Sequence, residues 1–365
     1  MSVKLFEPIT LRSVTARNRI AIAPMCQYCA TEGLGDDWHV QHLGARAMGG
    51  AGIVMTEATH VSAQGRITPG CLGLYTDAHE ALMARLARLI TSGGAVPAMQ
   101  IAHAGRKAST LPPFAGGKPI PLQDPRGWRP MGPTDEPFGE GYTAPQPLSV
   151  GDIAAISAEF AATAARARRA GIKIIELHAA HGYLIHSFLS PVSNKRNDFY
   201  GGAMFDQAGG GRSRLLFEAL EAVRSEWPDE LPLFVRLSSV DWMAGGITIA
   251  DTVELARRLK ATGKVDLIDC SSGGVAAVGP KITSLHPGYQ VPFAEAVRRE
   301  AGIATGAVGL ITAPEHAAEI VANERADLVF IARAALADPA WPLRAAKQLG
   351  VKPELMPQYM RATLT

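Results

Sequence analysis

Eight short runs of apolar and β-branched residues recur along the chain, each followed by a longer stretch with helical spacing. The runs are 18–25 (NRIAIAPM), 51–60 (AGIVMTEATH), 96–105 (VPAMQIAHAG) and 172–181 (IKIIELHAAH). The other four are 231–239 (LPLFVRLSS), 265–273 (VDLIDCSSG), 302–308 (GIATGAV) and 326–333 (ADLVFIAR). Strands apolar nearly throughout must be covered on both faces, and helices alternating with them supply the cover. Segments such as AHEALMARLARLITSGG and IADTVELARRLKATG repeat apolar residues every three or four positions and end on Gly, the pattern of amphipathic helices. Eight such units predict an α/β fold, a closed (β/α)8 TIM barrel. The alternative, an open doubly wound sheet, carries a G-x-G-x-x-G turn after its first strand. Here that strand runs into APMCQY.

No linker divides the 365 residues, so 1–365 is expected to form a single domain. The Pro- and Gly-rich stretch 111–147 after the third strand is too long for an idle connection and predicts a lid or hairpin over the site. Hydrophobic residues make up 47% and charged residues 19%, at a formal net charge of +2. That balance supports a large core and gives no nucleic-acid signal. No apolar stretch reaches the roughly 20 residues of a membrane span, and the N-terminus lacks the apolar core of a signal peptide. Four cysteines are too few for a disulfide scaffold. A cytoplasmic protein is therefore expected, with no nucleic-acid or membrane partner. CQYC at 26–29 lacks a second ligand pair, so a single functional cysteine is preferred to a metal or disulfide there.

In a barrel the C-terminal strand ends face one pocket. The residues falling there include Pro24, Met25, Cys26 and Tyr28, then Glu57 and Ala58, Gln100 and His103, and His178, His181 and Tyr183. Arg236, Ser271, Ser272, Gly309 and Arg333 follow on the later strands. Barrels often bind phosphate after strands seven and eight, where this chain has TGAVGLIT and Arg333. Backbone N–H groups and a guanidinium suit a phosphate dianion. The stretch HAAHGYLIH holds three histidines in nine residues. His178 and His181 could converge on one atom, and three uses stay open: binding an oxyanion, ligating a metal, or a structural pair. A catalytic zinc wants three protein ligands, and no third is evident. Paired imidazole donors suit a carbonyl or phenolate oxygen.

ELHAAHGYLIHSFLSPVSNKRNDFYGG resembles the signature of the old yellow enzyme family of FMN-dependent ene-reductases. NRIAIAPMCQY, GRITPG, QIAHAGRKA, DCSSGG, GYQVPFAE, ATGAVGLIT and ADLVFIAR resemble further family motifs in family order, over nearly the whole chain. Cysteine at position 26 resembles the bacterial branch that includes the xenobiotic reductases. The resemblance implies one FMN per barrel, contacted by Ala23, Pro24, Met25, Cys26, Ala58, Gln100 and Arg236, with Gly309, Ala332 and Arg333 on the phosphate. It implies NADPH, or NADH, as hydride donor and an activated alkene as substrate, with nitro compounds or quinones as further substrates. His178 and His181 would bind the substrate oxygen, Tyr183 would donate the proton, and Cys26 and Tyr28 would tune the flavin and line the substrate pocket. The tail 350–365, MPQYMRATLT at its end, resembles one whose terminal arginine, here Arg361, reaches a neighbouring subunit's site, which implies a homodimer or homotetramer. The alternatives from other classes are a metal-dependent hydrolase on the same barrel and a non-catalytic flavin-binding sensor. Two departures stand out. A Gly-rich insertion, AMFDQAGGGRSR, follows YGG with Gln207 at a position where Asn is expected, and FIAR replaces FIGR, placing Ala332 beside the phosphate.

Overall fold

A computed structural model describes residues 3–206, 209–277 and 285–362. Eight strands close into a barrel: β1 (Ile20–Ile22), β2 (Ile53–His60), β3 (Val96–Ala102), β4 (Ile174–Ala179), β5 (Leu233–Ser238), β6 (Leu267–Ser271), β7 (Ala304–Ala307) and β8 (Leu328–Ile331). Every neighbouring pair is parallel, and β5 closes the ring on β6. The helices that cover it include α1 (Asp37–Met48), α2 (Asp77–Ser92), α3 (Val150–Arg169), α4 (Arg214–Glu226), α5 (Ile249–Ala261), α6 (Val291–Ala301), α7 (Pro314–Ala322) and α8 (Trp341–Gln348). Four of these begin on the polar caps that the sequence suggests: Asp36, Thr76, Ser149 and Thr248 each accept a backbone N–H in the first turn.

The alternation along each strand sorts two cores. Ile20, Ile22, Val54, Met99, Ile175, Leu177 and Val235 face the helices. Ala21, Ile53, Met55, Ala98, Ile174, Phe234 and Leu267 fill the barrel interior. Side chains alternate across a strand, so the interior face reappears two residues further on. There it turns polar: Gln100 above Ala98, Glu176 and His178 above Ile174, Arg236 above Phe234, Asp269 and Ser271 above Leu267. The apolar floor and the polar roof of the barrel thus come from one pleat.

Every strand but β2, which reaches His60, stops short of the end of its apolar run. Strand β1 ends at Ile22 rather than Met25, where Pro24 has no N–H to give a ladder. The C-terminal remainder of such a run forms the loop that enters the site. A feature the apolar runs did not signal is an antiparallel pair, Ile9–Leu11 with Val14–Ala16. Its Ile9, Leu11 and Val14 pack against the interior cluster. Arg12 Nε donates to Asp266 Oδ1 at 2.6 Å and Ser13 N to Glu230 O at 3.1 Å, which fixes this stopper at the N-terminal strand ends.

Within 111–147 the regular structure is slight: a single 3-10 turn at Pro113–Ala115 and two short strands, Met131–Gly132 and Gln146–Pro147. The strands pair in parallel, and an antiparallel bridge between Thr110 and Pro119 turns the chain back on itself at the start of the segment. Of the insertion at 203–211, Gln207 and its neighbour 208 lie outside the described residues. Arg212 beyond it ties the carbonyls of Leu189 and Gly202, and Arg214 pairs with Glu218 at 2.7 Å.

Candidate active site

The polar roof is set by register. Cα partners are Gln100 with Glu176, His178 with Arg236, and Arg236 with Asp269. Gln100 Nε2 donates to Glu176 Oε1 at 2.6 Å, and Arg236 Nε lies 3.0 Å from Asp269 Oδ2. Burial raises both carboxyls above their ordinary range. For Glu176 the charge of Asp269 adds to this, and Arg236 opposes it in both. One buried guanidinium therefore carries two buried acids at this level.

Arg236 Nη2 also donates to Ser271 Oγ at 3.4 Å, and Ser271 Oγ lies 2.8 Å from His181 Nε2. The Ser271 hydroxyl can donate to Nε2 or accept from it, and where it donates the proton of His181 is on Nδ1. His178 Nδ1 accepts from Ala180 N at 3.2 Å, so its proton is on Nε2. Burial and then the charge of Arg236 hold both imidazoles well below their ordinary pKa. They are neutral, with rings 5.2 Å apart and edge to face, and His178 keeps a free Nε2–H. Neutral paired donors polarise an oxygen without giving up a proton.

His181 has φ +60°, a left-handed conformation that costs a non-glycine residue energy and clusters at functional sites. The turn is held by His181 N on Ser238 Oγ at 2.8 Å and by Lys107 Nζ on His181 O at 2.7 Å. A Cβ on Gly182, which has φ +75°, would sit 2.1 Å from Gly274 O, so only glycine fits. Tyr183 emerges next, its ring 4.9 Å from that of His178. Burial pushes its hydroxyl well above the ordinary range, keeping it protonated. Tyr183, Tyr28 and Cys26 pack on one small cluster of Ile67, Cys71, Ala104 and Ala108, joined by Trp128. Cys26 and Tyr28 thus share one wall with Tyr183, more than 150 residues away in sequence. Cys26 is raised first by its hydrogen bond to Cys71 and then by burial.

Above the barrel, a cavity of about 300 Å³ is lined by His181, Arg236, Gly309, Ala332 and Arg333 among the expected residues. Tyr289, Gln290 and Leu310 line it too, and no role was foreseen for them; the signals were GYQVPFAE for the first two and ATGAVGLIT for Leu310. Gln290 Nε2 donates to Val308 O at 3.2 Å and Ser272 Oγ to Gln290 Oε1 at 2.6 Å. Gly309 has φ +122°, and a Cβ there would press on Gln290 and Tyr289. Arg333 is exposed at the rim and makes no hydrogen bond or ion pair among the described residues. A glycine-lined backbone with an unpaired guanidinium suits an anion at this end of the cavity. Ala23 and Ala58 are buried beneath, while Pro24 and Met25 are half-buried. Lys107, also unforeseen, stands 5.0 Å over the Tyr183 ring, and burial lowers its ammonium to about 8.

The histidine cluster does not converge as a triad. His186 points away, to Asp241. Among the described residues the group of potential ligands that does converge is Cys29, Asp36 and His39. There His39 Nδ1 accepts from Asp36 N at 3.1 Å and Nε2 faces Glu57 Oε1 at 3.2 Å, so the group is closed by its own contacts. All four cysteines are free thiols.

The sequence profile of the NADH:flavin oxidoreductase / NADH oxidase family matches residues 4–352. The chain belongs to this family, the old yellow enzyme family. Its relatives include the NADPH dehydrogenase of Geobacillus sp. (strain WCH70), 46% identical over 363 residues, 99% of each chain. That of Bacillus licheniformis is 45% identical over 98% of each chain. Among solved structures, morphinone reductase superposes with a TM-score of 0.77 at 25% identity, covering 97% of this chain and 92% of that one. A 2-naphthoyl-CoA reductase complex gives 0.83 at 27% identity, covering 95% of this chain and 52% of that one. This old yellow enzyme is an FMN-dependent oxidoreductase. Membership sets aside the hydrolase alternative. Among the described residues no helix is long and apolar enough to cross a membrane.

Burial of neutral histidines has a cost in acid. His60 and His103 are both buried and lowered to about 4 and about 3, burial being the first cause in each. A base whose folded pKa is depressed contributes stability above its unfolded pKa and loses it as pH falls. Each should therefore cost about 1.4 kcal/mol per pH unit below about 6.5, His60 until about pH 4 and His103 until about pH 3. The raised carboxyls of Glu176 and Asp269 act in the opposite direction, so the test is a comparison: between pH 7 and 4.5 the urea midpoint of His103→Gln should fall less steeply than that of the wild type, and equal slopes would show that His103 is not buried neutral.

Proposed function

We propose that the enzyme is an NADPH-dependent ene-reductase, with NADH as the alternative donor, acting on activated alkenes such as α,β-unsaturated carbonyl compounds, and also on nitro compounds or quinones. The observation that carries this reading is the pair of neutral imidazole donors beside a protonated tyrosine, with ring centroids of 5.2 and 4.9 Å from His178 to His181 and Tyr183. The residues present fit FMN. The Gly309 backbone, Ala332 and Arg333 would hold its phosphate. Arg236 and Gln100 would meet the polar edge of its ring, with Ala23, Pro24, Met25, Cys26 and Ala58 along its face. Bound FMN would supply two-electron chemistry, taking hydride from the nicotinamide and passing it to the alkene.

The chain's own groups do the rest. His178 and His181 donate to the substrate oxygen and stabilise the enolate-like charge that builds there. Tyr183 donates a proton to the adjacent carbon. Tyr28 and Cys26 line the same wall and limit what fits. Segment 111–147 acts as a lid: Phe114 stands edge-on to Tyr28 at 6.3 Å, and Phe138 lies 4.6 Å beneath Lys107. Reduced thiols favour a cytoplasmic location. Arg361, exposed in the tail, is assigned to a neighbouring subunit's site in a homodimer or homotetramer.

Losing one donor to a charged oxygen removes about 1.5–3 kcal/mol. His178→Ala and His181→Ala should therefore each weaken phenol binding roughly 10- to 100-fold, with FMN retained. Anaerobic assays with NADPH and an enone should yield the saturated ketone, one per NADPH. NADPH oxidation that proceeds with oxygen but not with any enone, nitroalkene or quinone would defeat the reading.

A further inference from the structure

The third histidine of the cluster takes no part in the chemistry above, yet its surroundings are too ordered for filler. His186 and Asp241 are both fully buried. His186 lies in the short helix Leu184–Leu189 that Tyr183 precedes. Its Nδ1 accepts the backbone N–H of Gly182 at 2.7 Å, and its Nε2 stands 3.0 Å from Asp241 Oδ1. Asp241 is itself fixed from two other elements: Ser190 Oγ donates to Oδ2 at 2.6 Å and Ile247 N at 2.9 Å. The acceptor role of Nδ1 settles the tautomer, with the proton on Nε2 facing the carboxylate. Gly182 is the residue between the oxygen-binding His181 and the proton donor Tyr183. Gly274 O closes the turn from the side where a Cβ on Gly182 would lie.

We infer that Asp241 and His186 form a positioning dyad: Asp241 selects the His186 tautomer whose Nδ1 holds the Gly182 N–H, and this fixes the turn that aims His181 and Tyr183 at one substrate. The inference rests on the functional reading above for the roles of His181 and Tyr183. It does not rest on it for the tautomer. A residue acting this way is a positioning residue; neither group touches the substrate.

Asp241→Asn tests this. Ser190 and Ile247 need an oxygen acceptor, so the amide oxygen stays with them and the NH2 faces His186 Nε2. Nε2 must then accept, the proton moves to Nδ1, and it meets the Gly182 N–H head on. Bulk and neighbouring hydrogen bonds are kept while the tautomer is wrong, the logic by which an Asp→Asn change disables a catalytic triad. The oxidative half-reaction should slow at least about 10-fold, with FMN content and reduction by NADPH within about threefold. His186→Asn keeps an acceptor near Gly182 and has no tautomer to misassign. It should stay within about threefold of wild type, whereas His186→Leu should slow at least about 10-fold. Adding His186→Asn to Asp241→Asn should recover most of the lost rate, since losses of independent packing would add instead.

A readout separate from activity is the nitrogen-15 NMR spectrum of histidine-labelled holoenzyme, with His186 assigned by its loss in His186→Asn. The expected result is a proton on Nε2 in the wild type and on Nδ1 in Asp241→Asn. A wild-type proton on Nδ1 would overturn the dyad, and so would a double variant no faster than Asp241→Asn, or Leu and Asn at 186 behaving alike. Tyr183→Phe measured in parallel separates the failures. If it leaves the oxidative half-reaction unchanged, the functional reading is at fault, and the NMR result still decides the dyad.

Discussion

Tyr183→Phe is expected to slow reoxidation of the reduced enzyme by an enone roughly 100-fold or more, while reduction by NADPH changes little. A positioned general acid contributes about 10²–10⁴ in rate. The phenol is placed for that work: its ring is 4.9 Å from that of His178, proposed to bind the substrate oxygen, and its hydroxyl is held protonated by burial. Removing the oxygen leaves the ring to fill the wall formed with Cys26 and Tyr28, so packing should survive. Stopped-flow traces of the two half-reactions separate the steps. Equal slowing of both would mean that Tyr183 shapes the pocket rather than donating the proton.

Arg236→Met should be the most damaging single change to stability and cofactor retention. It leaves Asp269 and Glu176, both fully buried, without the cation that opposes their burial. Breaking a buried pair by removing one partner costs about 3–5 kcal/mol. The thermal midpoint should fall roughly 5–10 °C, and purified protein should be largely colourless. Two further signs are specific. With the cation gone, both acids rise further above their unfolded pKa, so the variant should regain stability as pH falls and they take up protons. Adding Asp269→Asn, which removes an uncompensated charge, should recover part of the stability but not FMN. A variant as stable and as yellow as wild type would remove Arg236 from the account.

The barrel was legible because its strands are apolar on both faces and its helices carry their own caps. Eight runs and four polar caps are local signals, and parallel closure follows from them by the rules of layer packing. The site was legible only through motifs. Nothing in the spacing of His178 and His181 says that Ser271, on another strand, meets Nε2 of His181. Cys71 sits beside Cys26 although 45 residues separate them, and TPGC offers no periodicity that announces it. Lys107 reads as a surface lysine until the turn at His181 offers it a carbonyl. The N-terminal stopper was missed because three-residue strands are too short to show a period. The pairings around 111–147 were not legible, since Pro and Gly mark a loop without specifying which segments pair.

A neutral histidine pair that binds a substrate oxygen next to FMN is tested by the visible absorption spectrum of the purified protein, titrated with a simple phenol. The flavin spectrum should gain a long-wavelength charge-transfer band, saturating with phenol in wild type and shifted to roughly 10- to 100-fold higher phenol in His178→Ala and His181→Ala. A flavin spectrum that phenol leaves unchanged, or a band that forms equally well in both variants, would contradict it.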